Sequence, residues 1–115
     1  MIPYANGDFH AGCGEVEYTA LNGEKRILYH HGYTNFHLMM KEALKQINAD
    51  SMESVLVTGG SAGGFGSAIL ADTAFDYFPK AKNLAVAADA GLMVSNKWKE
   101  VALHRWHSPK EICDR

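Results

Sequence analysis

The stretch VLVTGGSAGGFGSAILADTAFDYF, residues 55–78, decides the fold that the sequence predicts. Its first four residues are apolar or β-branched, which is typical of a strand buried in a parallel sheet. Glycines surround a single serine at residues 59–64, and the apolar run from about residue 62 to 78 predicts a buried helix that ends before Pro79. The stretch therefore predicts a strand that passes through a sharp turn into a helix.

Other predicted elements extend from this stretch in both directions. In chain order they are strands at 15–20 and 25–30, a helix at about 34–48, a strand at 84–88 and a short helix at about 97–106. Asn22-Gly23 predicts a tight turn between the first two strands, and Thr34 or Asn35 is the candidate cap of the first helix. Strands and helices alternate from residue 25 onward, which predicts an α/β fold with a mostly parallel sheet.

Length and composition exclude several classes of protein. The chain has 115 residues, of which 47% are hydrophobic, and a net charge of −2, so it suits one globular domain. Its 11 basic residues are scattered among 13 acidic ones, which argues against nucleic-acid binding. No apolar run approaches the roughly 18 residues that cross a bilayer. Cys13 and Cys113 fit no zinc motif, so no metal is predicted, and whether they form a disulfide stays open, as does the compartment.

The turn carries the pattern G-x-S-x-G at residues 59–63. In a strand–turn–helix setting this pattern lifts a serine hydroxyl above the end of a sheet, so Ser61 is the predicted nucleophile. Gly59 and Gly63 are predicted to be glycines because side chains there would clash. The N–H of Ala62 is predicted to stabilise an oxyanion, because the first N–H groups of a helix lack partners within it.

Two other interpretations of the turn are a glycine-rich turn without chemistry and a phosphate-binding loop. A Walker loop requires a lysine where Phe65 stands. The dinucleotide pattern requires a third glycine where Ile69 stands, three residues after Gly66. Neither phosphate pattern fits, and the sequence predicts no cofactor.

A serine nucleophile also needs a base and an acid that orients it. For most of the candidates, an ordinary structural role is the favoured interpretation, as a turn residue, a helix-surface charge or a strand end bonded to backbone. These candidates are Asp72, Asp76 and Asp89 as acids, and His30, His31, His104 and His107 as bases or pocket residues.

Four segments together resemble a known family. They are IPYANGDFHAG at 2–12, HGYTN at 31–35, VLVTGGSAGG at 55–64 and ADAG at 88–91. Their order is similar to that in the pectin acetylesterase family, which also contains the Notum carboxylesterases. Ala5 departs from the pattern, since plant and animal members usually have cysteine at this position.

The resemblance implies a three-layer α/β-hydrolase fold and hydrolysis of an ester on a carbohydrate or a lipidated protein. It assigns the nucleophile to Ser61 and one oxyanion N–H to Ala62, and it does not make Asp89 the acid of the triad. The family's other oxyanion segment and its triad Asp and His fall outside residues 1–115. The resemblance therefore implies that residues 1–115 form a partial α/β-hydrolase domain, the central part of a longer hydrolase.

Two functions from different classes follow. The first is a serine ester hydrolase, with pectin O-deacetylation through an acyl-enzyme on Ser61. The second is a truncated hydrolase that only binds, or that has no function by itself. Whether the isolated chain is active stays open, and the acyl group is not specified. Because strands cut from a larger sheet leave unpaired edges, we expect self-association through them.

Overall fold

The computed structural model describes residues 1–91, 95 and 97–113. Its elements are β1 (Gly14–Thr19), β2 (Lys25–His30), α1 (Gly32–Leu44), a short 3-10 helix (Ala49–Ser51), β3 (Ser54–Gly60), α2 (Ala62–Phe75), β4 (Asn83–Asp89), α3 (Trp98–His104) and α4 (Lys110–Cys113). The predicted strand–turn–helix is present, because β3 leads into α2 through the single residue Ser61.

The strands form two separate two-stranded sheets. β3 and β4 are parallel, with Ser54 opposite Asn83 at one end and Gly60 opposite Asp89 at the other. α2 connects these two strands and packs against both of them. β1 and β2 form an antiparallel hairpin, in which Gly23 adopts a φ of 83° at the turn. The structure is therefore a mixed α and β fold with one parallel pair at its centre.

The prediction of one mostly parallel sheet from residue 25 onward is wrong for β2. Among the described residues, β2 pairs with β1, and no strand pairing joins the hairpin to the β3–β4 pair. The Asn22-Gly23 turn brings β2 back along β1, so its backbone hydrogen bonds are made within the hairpin. The described residues accordingly form two small sheets and do not form a single three-layer arrangement.

The first helix begins earlier than predicted and is capped from a distance. α1 starts at Gly32, so Thr34 and Asn35 lie inside it, and the side chain of its N-cap residue His31 makes no capping bond. Instead, the Gly32 N–H donates to Asp8 Oδ2 at 2.7 Å, from a carboxylate 24 residues earlier in the chain. A negative charge suits this end of a helix, because the first N–H groups have no partner within the helix.

The core lies around α2, which has seven buried residues. It consists of small and medium apolar side chains, namely Ala11, Phe36, Leu70, Ala74, Ala102, Ile112 and Cys113. β4, by contrast, is exposed along its whole length, and the Leu56 side chain of β3 is 61% exposed. The parallel pair is therefore covered mainly on the α2 side. Of the helices that the structure describes, none combines the length and the apolar character needed to cross a membrane.

Candidate functional site

Ser61 occupies a strained turn at the carboxyl ends of the two parallel strands. Its φ of 52° and ψ of −117° are unusual for a residue with a side chain, and such conformations cost about 1–3 kcal/mol. Backbone hydrogen bonds fix it: the Ser61 N–H donates to the Asp89 carbonyl at 3.0 Å, and the Ser61 carbonyl accepts from the Phe65 N–H at 3.1 Å. The Ser61 side chain is exposed and does not cap α2. Its hydroxyl is thus available to a ligand.

Close backbone contacts hold this turn in place. A Cβ atom on Gly59 would lie 2.4 Å from the Gly63 carbonyl oxygen, and one on Gly64 would lie 2.3 Å from the Asp89 carbonyl oxygen. A side chain on Gly59 would therefore collide with the backbone of α2. The steric reason predicted for Gly63 does not hold, because a Cβ there would meet no described atom within 4 Å. Gly63 takes part in the close contact through its backbone carbonyl group, which lies against Gly59.

The Ala62 N–H lies at the start of the 14-residue helix α2, next to Ser61. Like the first N–H groups of any helix, it has no acceptor within the helix, and the helix dipole adds partial positive charge at this end. A ligand oxygen near Ser61 can therefore accept a hydrogen bond from Ala62. This arrangement favours anionic oxygen, which is the species formed when a hydroxyl attacks an ester carbonyl.

A cleft of about 640 Å³ opens beside the turn. Residues 59–63 form one side, and apolar or aromatic side chains form much of the rest, among them Ile2, Tyr4, Phe36 and Leu70. None of the described lining residues is Asp, Glu, Lys or Arg. The volume is in the range of small-molecule sites, roughly 300–1,000 Å³, and such sites are also mostly apolar.

His10 also lines this cleft, although sequence reasoning did not single it out. Burial lowers the pKa of the His10 imidazole below its ordinary value, and the nearby Asp8 carboxylate opposes that effect without cancelling it. The ring packs against α2, since a Cβ on Gly66 would lie 2.7 Å from His10 Cδ2. No local pattern indicates this position, because the loop that carries His10 is far from Ser61 in the chain.

Asp8 organises that loop. Its carboxylate is fully buried, and besides the Gly32 N–H it accepts the His10 N–H at 3.1 Å. Gly12 and Gly32 make room for it, because a Cβ on either would lie within 2.5 Å of an Asp8 oxygen. The Asp8 carboxylate thus joins the loop to the start of α1 and sets the backbone direction at His10.

The other predicted histidines lie away from the cleft. His30 is buried, and its Nδ1 lies 2.9 Å from the Asn6 carbonyl oxygen, which favours the ordinary structural interpretation. The Nε2 of His31 lies 3.8 Å from Glu15 Oε1. His104 and His107 are exposed, and the His107 ring lies against Gly14. None of these four lines the cleft beside Ser61.

The predicted acids are exposed. Asp72 and Asp76 lie on the surface at the C-terminal part of α2, as expected for helix-surface charges. Asp89 contributes its backbone carbonyl to the Ser61 turn, and its carboxylate lies beside Gly60, with Oδ2 3.9 Å from the position of a Cβ there. Within the described ranges, no group of three or more His, Cys, Asp or Glu side chains could hold a metal ion, and Cys13 and Cys113 do not form a disulfide.

Comparison with known proteins gives one match. A family model described as pectinacetylesterase matches residues 1–107, which include the Asp8 loop, the Ser61 turn and the cleft between them. No curated protein and no solved structure matches the chain.

Proposed function

This chain belongs to the pectinacetylesterase family, and we propose that it is a serine ester hydrolase that removes acyl groups from a carbohydrate, with Ser61 as its nucleophile. The conformation of Ser61 is the observation that carries the proposal. Ser61 is a non-glycine residue at a φ of 52°, and it is exposed between a strand and a helix. Strain of this kind persists only where the surrounding structure fixes it, and it is concentrated at active sites and ligand sites.

The β3–α2–β4 unit supports an α/β-hydrolase arrangement for the domain. A parallel strand pair, a helix that packs on it and a serine at the turn between them are the setting that a nucleophile elbow requires. We propose that residues 1–115 contribute this unit to such a domain. The hairpin is an addition to the unit, since it does not pair with the parallel strands among the described residues.

The proposed chemistry has two steps. The Ser61 oxygen forms a bond to the acyl carbon, and its proton passes to a base. The bond between that carbon and the sugar oxygen then breaks, and the sugar leaves as an alcohol after taking up a proton. The oxygen of a water molecule then forms a bond to the acyl carbon, the bond between that carbon and the Ser61 oxygen breaks, and the Ser61 oxygen takes up a proton as the carboxylic acid leaves. The Ala62 N–H stabilises the negative oxygen in both steps, and loss of one such donor typically costs about 100- to 1,000-fold in rate.

One observation favours the alternative, a protein that only binds its ligand. Within the part of the chain that the structure describes, no imidazole is hydrogen-bonded to the Ser61 hydroxyl. A serine hydroxyl without a base attacks esters slowly. The test must therefore report on the nucleophile directly as well as on turnover.

A fluorophosphonate probe provides that test. The wild-type chain should gain the mass of one phosphonyl group on the peptide that contains Ser61, and Ser61→Ala should not. Ser54→Ala, which removes an exposed serine from the same strand, is the matched control and should be labelled like the wild type. The same three proteins should be assayed for acetate release from acetylated galacturonan whose carboxylates are methyl-esterified. A folded wild-type chain that is neither labelled nor active would contradict the proposal and support binding alone.

A further inference from the structure

We propose that Tyr4 and His10 form a binding subsite for an uncharged sugar ring, on the wall of the cleft beside Ser61. The inference rests on the proposed function, because it assigns to this subsite the alcohol side of the ester. It adds a selectivity to that function: the subsite should prefer a neutral or esterified sugar to a free uronate.

The loop that carries His10 is rigid and strained. Phe9 and His10 have φ values of 51° and 63°, so two consecutive residues with side chains adopt a conformation that few such residues adopt. Asp8 holds this backbone through the His10 N–H, and the Phe9 ring stacks on Phe65 with centroids 4.3 Å apart. The loop therefore fixes the direction of the His10 side chain before any ligand arrives.

Tyr4 and His10 make a continuous aromatic wall. Their ring centroids are 4.9 Å apart, with an angle of 53° between the planes. The Tyr4 hydroxyl accepts the Phe9 N–H at 3.2 Å, which anchors the phenol to the same loop. Tyr4 nevertheless remains 39% exposed, so part of its ring is open to the cleft. An apolar, fixed ring surface suits the carbon face of a pyranose.

The polar group of this wall is uncharged at neutral pH. Burial lowers the pKa of His10, so its imidazole is neutral and has one donor and one acceptor nitrogen. No hydrogen bond to either ring nitrogen is found among the described residues, whereas the His10 backbone is bonded to Asp8. A neutral imidazole pairs well with sugar hydroxyls, which also donate and accept.

The absence of formal charge on the described lining side chains gives the selectivity. A free uronate would have to enter a cleft whose described side chains include no lysine or arginine. A carboxylate that loses water against the Tyr4 and His10 rings, without gaining a cationic side chain as a partner, is destabilised. A sugar that has no carboxylate, or whose carboxylate is esterified, avoids this penalty.

A second tyrosine–histidine pair in the chain provides the control. Tyr29 and His31 have ring centroids 6.1 Å apart and lie on the hairpin and at its end, away from the cleft. Tyr29 is exposed, and His31 is near Glu15. If any exposed tyrosine–histidine pair bound sugars, this one would do so too.

The experiment measures binding by NMR titration of the full chain with methyl α-galactoside and with galacturonate at pH 7. Wild-type protein should bind the galactoside more tightly than galacturonate by about threefold or more. Tyr4→Ala and His10→Asn should weaken galactoside binding by about fivefold or more, an effect the size of one lost ring or hydrogen-bond contact. Tyr29→Ala should stay within about twofold of wild type, because Tyr29 does not line the cleft.

His10→Asn keeps the proposal testable if Tyr4→Ala fails to fold, because asparagine tolerates a positive φ. Absence of galactoside binding to the folded wild type, equal or tighter binding of galacturonate, or equal weakening by Tyr29→Ala would each overturn the subsite. Phosphonate labelling and galactoside binding are measured separately on the wild-type chain. A chain that binds the galactoside but is not labelled by the phosphonate therefore contradicts the nucleophile and not the subsite.

Discussion

The loop at residues 7–14 and the turn at residues 59–64 both hold side-chain residues at positive φ, but they do so by different means. The loop depends on one buried carboxylate, Asp8, which accepts backbone N–H groups from within the loop and from the start of α1. The turn depends on backbone against backbone, because Gly59 lies against Gly63 and Gly64 against Asp89. One region is held by a side chain, and the other by the absence of side chains.

This difference predicts how each region responds to change. Backbone atoms cannot rotate away from a new group as the end of a side chain can. A methyl group added at such a contact therefore forces the strand or the helix to move. A carboxylate contact can be weakened by degrees, since an amide of the same shape keeps half of its acceptors. We therefore expect the turn to tolerate almost no substitution at Gly59 and Gly64, where a Cβ would meet backbone, and the loop to show graded effects.

The largest effect is expected for Gly59→Ala. The new Cβ would lie 2.4 Å from the Gly63 carbonyl oxygen, so β3 and α2 must separate. The free energy of unfolding should fall by about 3 kcal/mol, at the upper end of overpacking effects. Urea denaturation followed by circular dichroism measures it.

Gly63→Ala is the matched control for that prediction. A Cβ at Gly63 meets no described atom within 4 Å, and Gly63 lies in α2 without a positive φ. This substitution should stabilise the chain by about 0.5 kcal/mol, because alanine restricts the unfolded chain more than glycine does. If the two alanine variants lose the same stability, the turn is not held by the Gly59–Gly63 contact.

Asp8→Asn should have the next largest effect. An amide keeps one acceptor, but its NH₂ group then faces the Gly32 or the His10 N–H, and a buried donor loses its partner. The expected loss is about 2 kcal/mol in the free energy of unfolding. Glu17→Gln, which breaks an exposed ion pair with Lys25, should cost less than about 0.5 kcal/mol in the same denaturation experiment. Equal losses in the two variants would show that the Asp8 carboxylate does not hold the loop.

The same difference explains what could be predicted from the sequence. The turn could be predicted because one of its close contacts, Gly59 against Gly63, joins residues only four positions apart within a glycine-rich pattern. The strand, the turn, the helix and the place of Ser61 between them follow from that local pattern. The structure of the loop could not be predicted in this way, because the Asp8 carboxylate accepts a hydrogen bond from the Gly32 N–H, which lies 24 residues away in the chain. Tyr4 and His10 were missed for the same reason.

Strand pairing was only partly predictable. The Asn22-Gly23 turn correctly indicated the hairpin, and the alternation of strand and helix correctly indicated the parallel pair β3–β4. The alternation also placed β2 in the parallel sheet, where the structure does not have it. The periodicity of a segment indicates that it is a strand. The strand with which it pairs depends on which other strands still have unpaired backbone N–H and C=O groups.

The smallest predicted effect is a pH dependence to which the loop contributes and the turn does not. Burial lowers the pKa of His10, and burial together with Lys41 lowers the pKa of His37. As the pH falls from 7 to 5, the unfolded chain takes up protons near the ordinary histidine value of about 6.5, whereas the folded chain resists them. The free energy of unfolding should therefore decrease over this range, as urea denaturation at several pH values would show.

His10→Asn should make that decrease shallower, since it removes an imidazole that resists protonation in the folded chain. Ser61→Ala should leave the slope unchanged, because residues 59–64 contain no group that titrates in this range. A slope that is the same in His10→Asn as in the wild type would mean that the loop is as insensitive to pH as the turn. The pH dependence of unfolding would then not distinguish the loop, which is held by the Asp8 side chain, from the turn, which is held by backbone contacts.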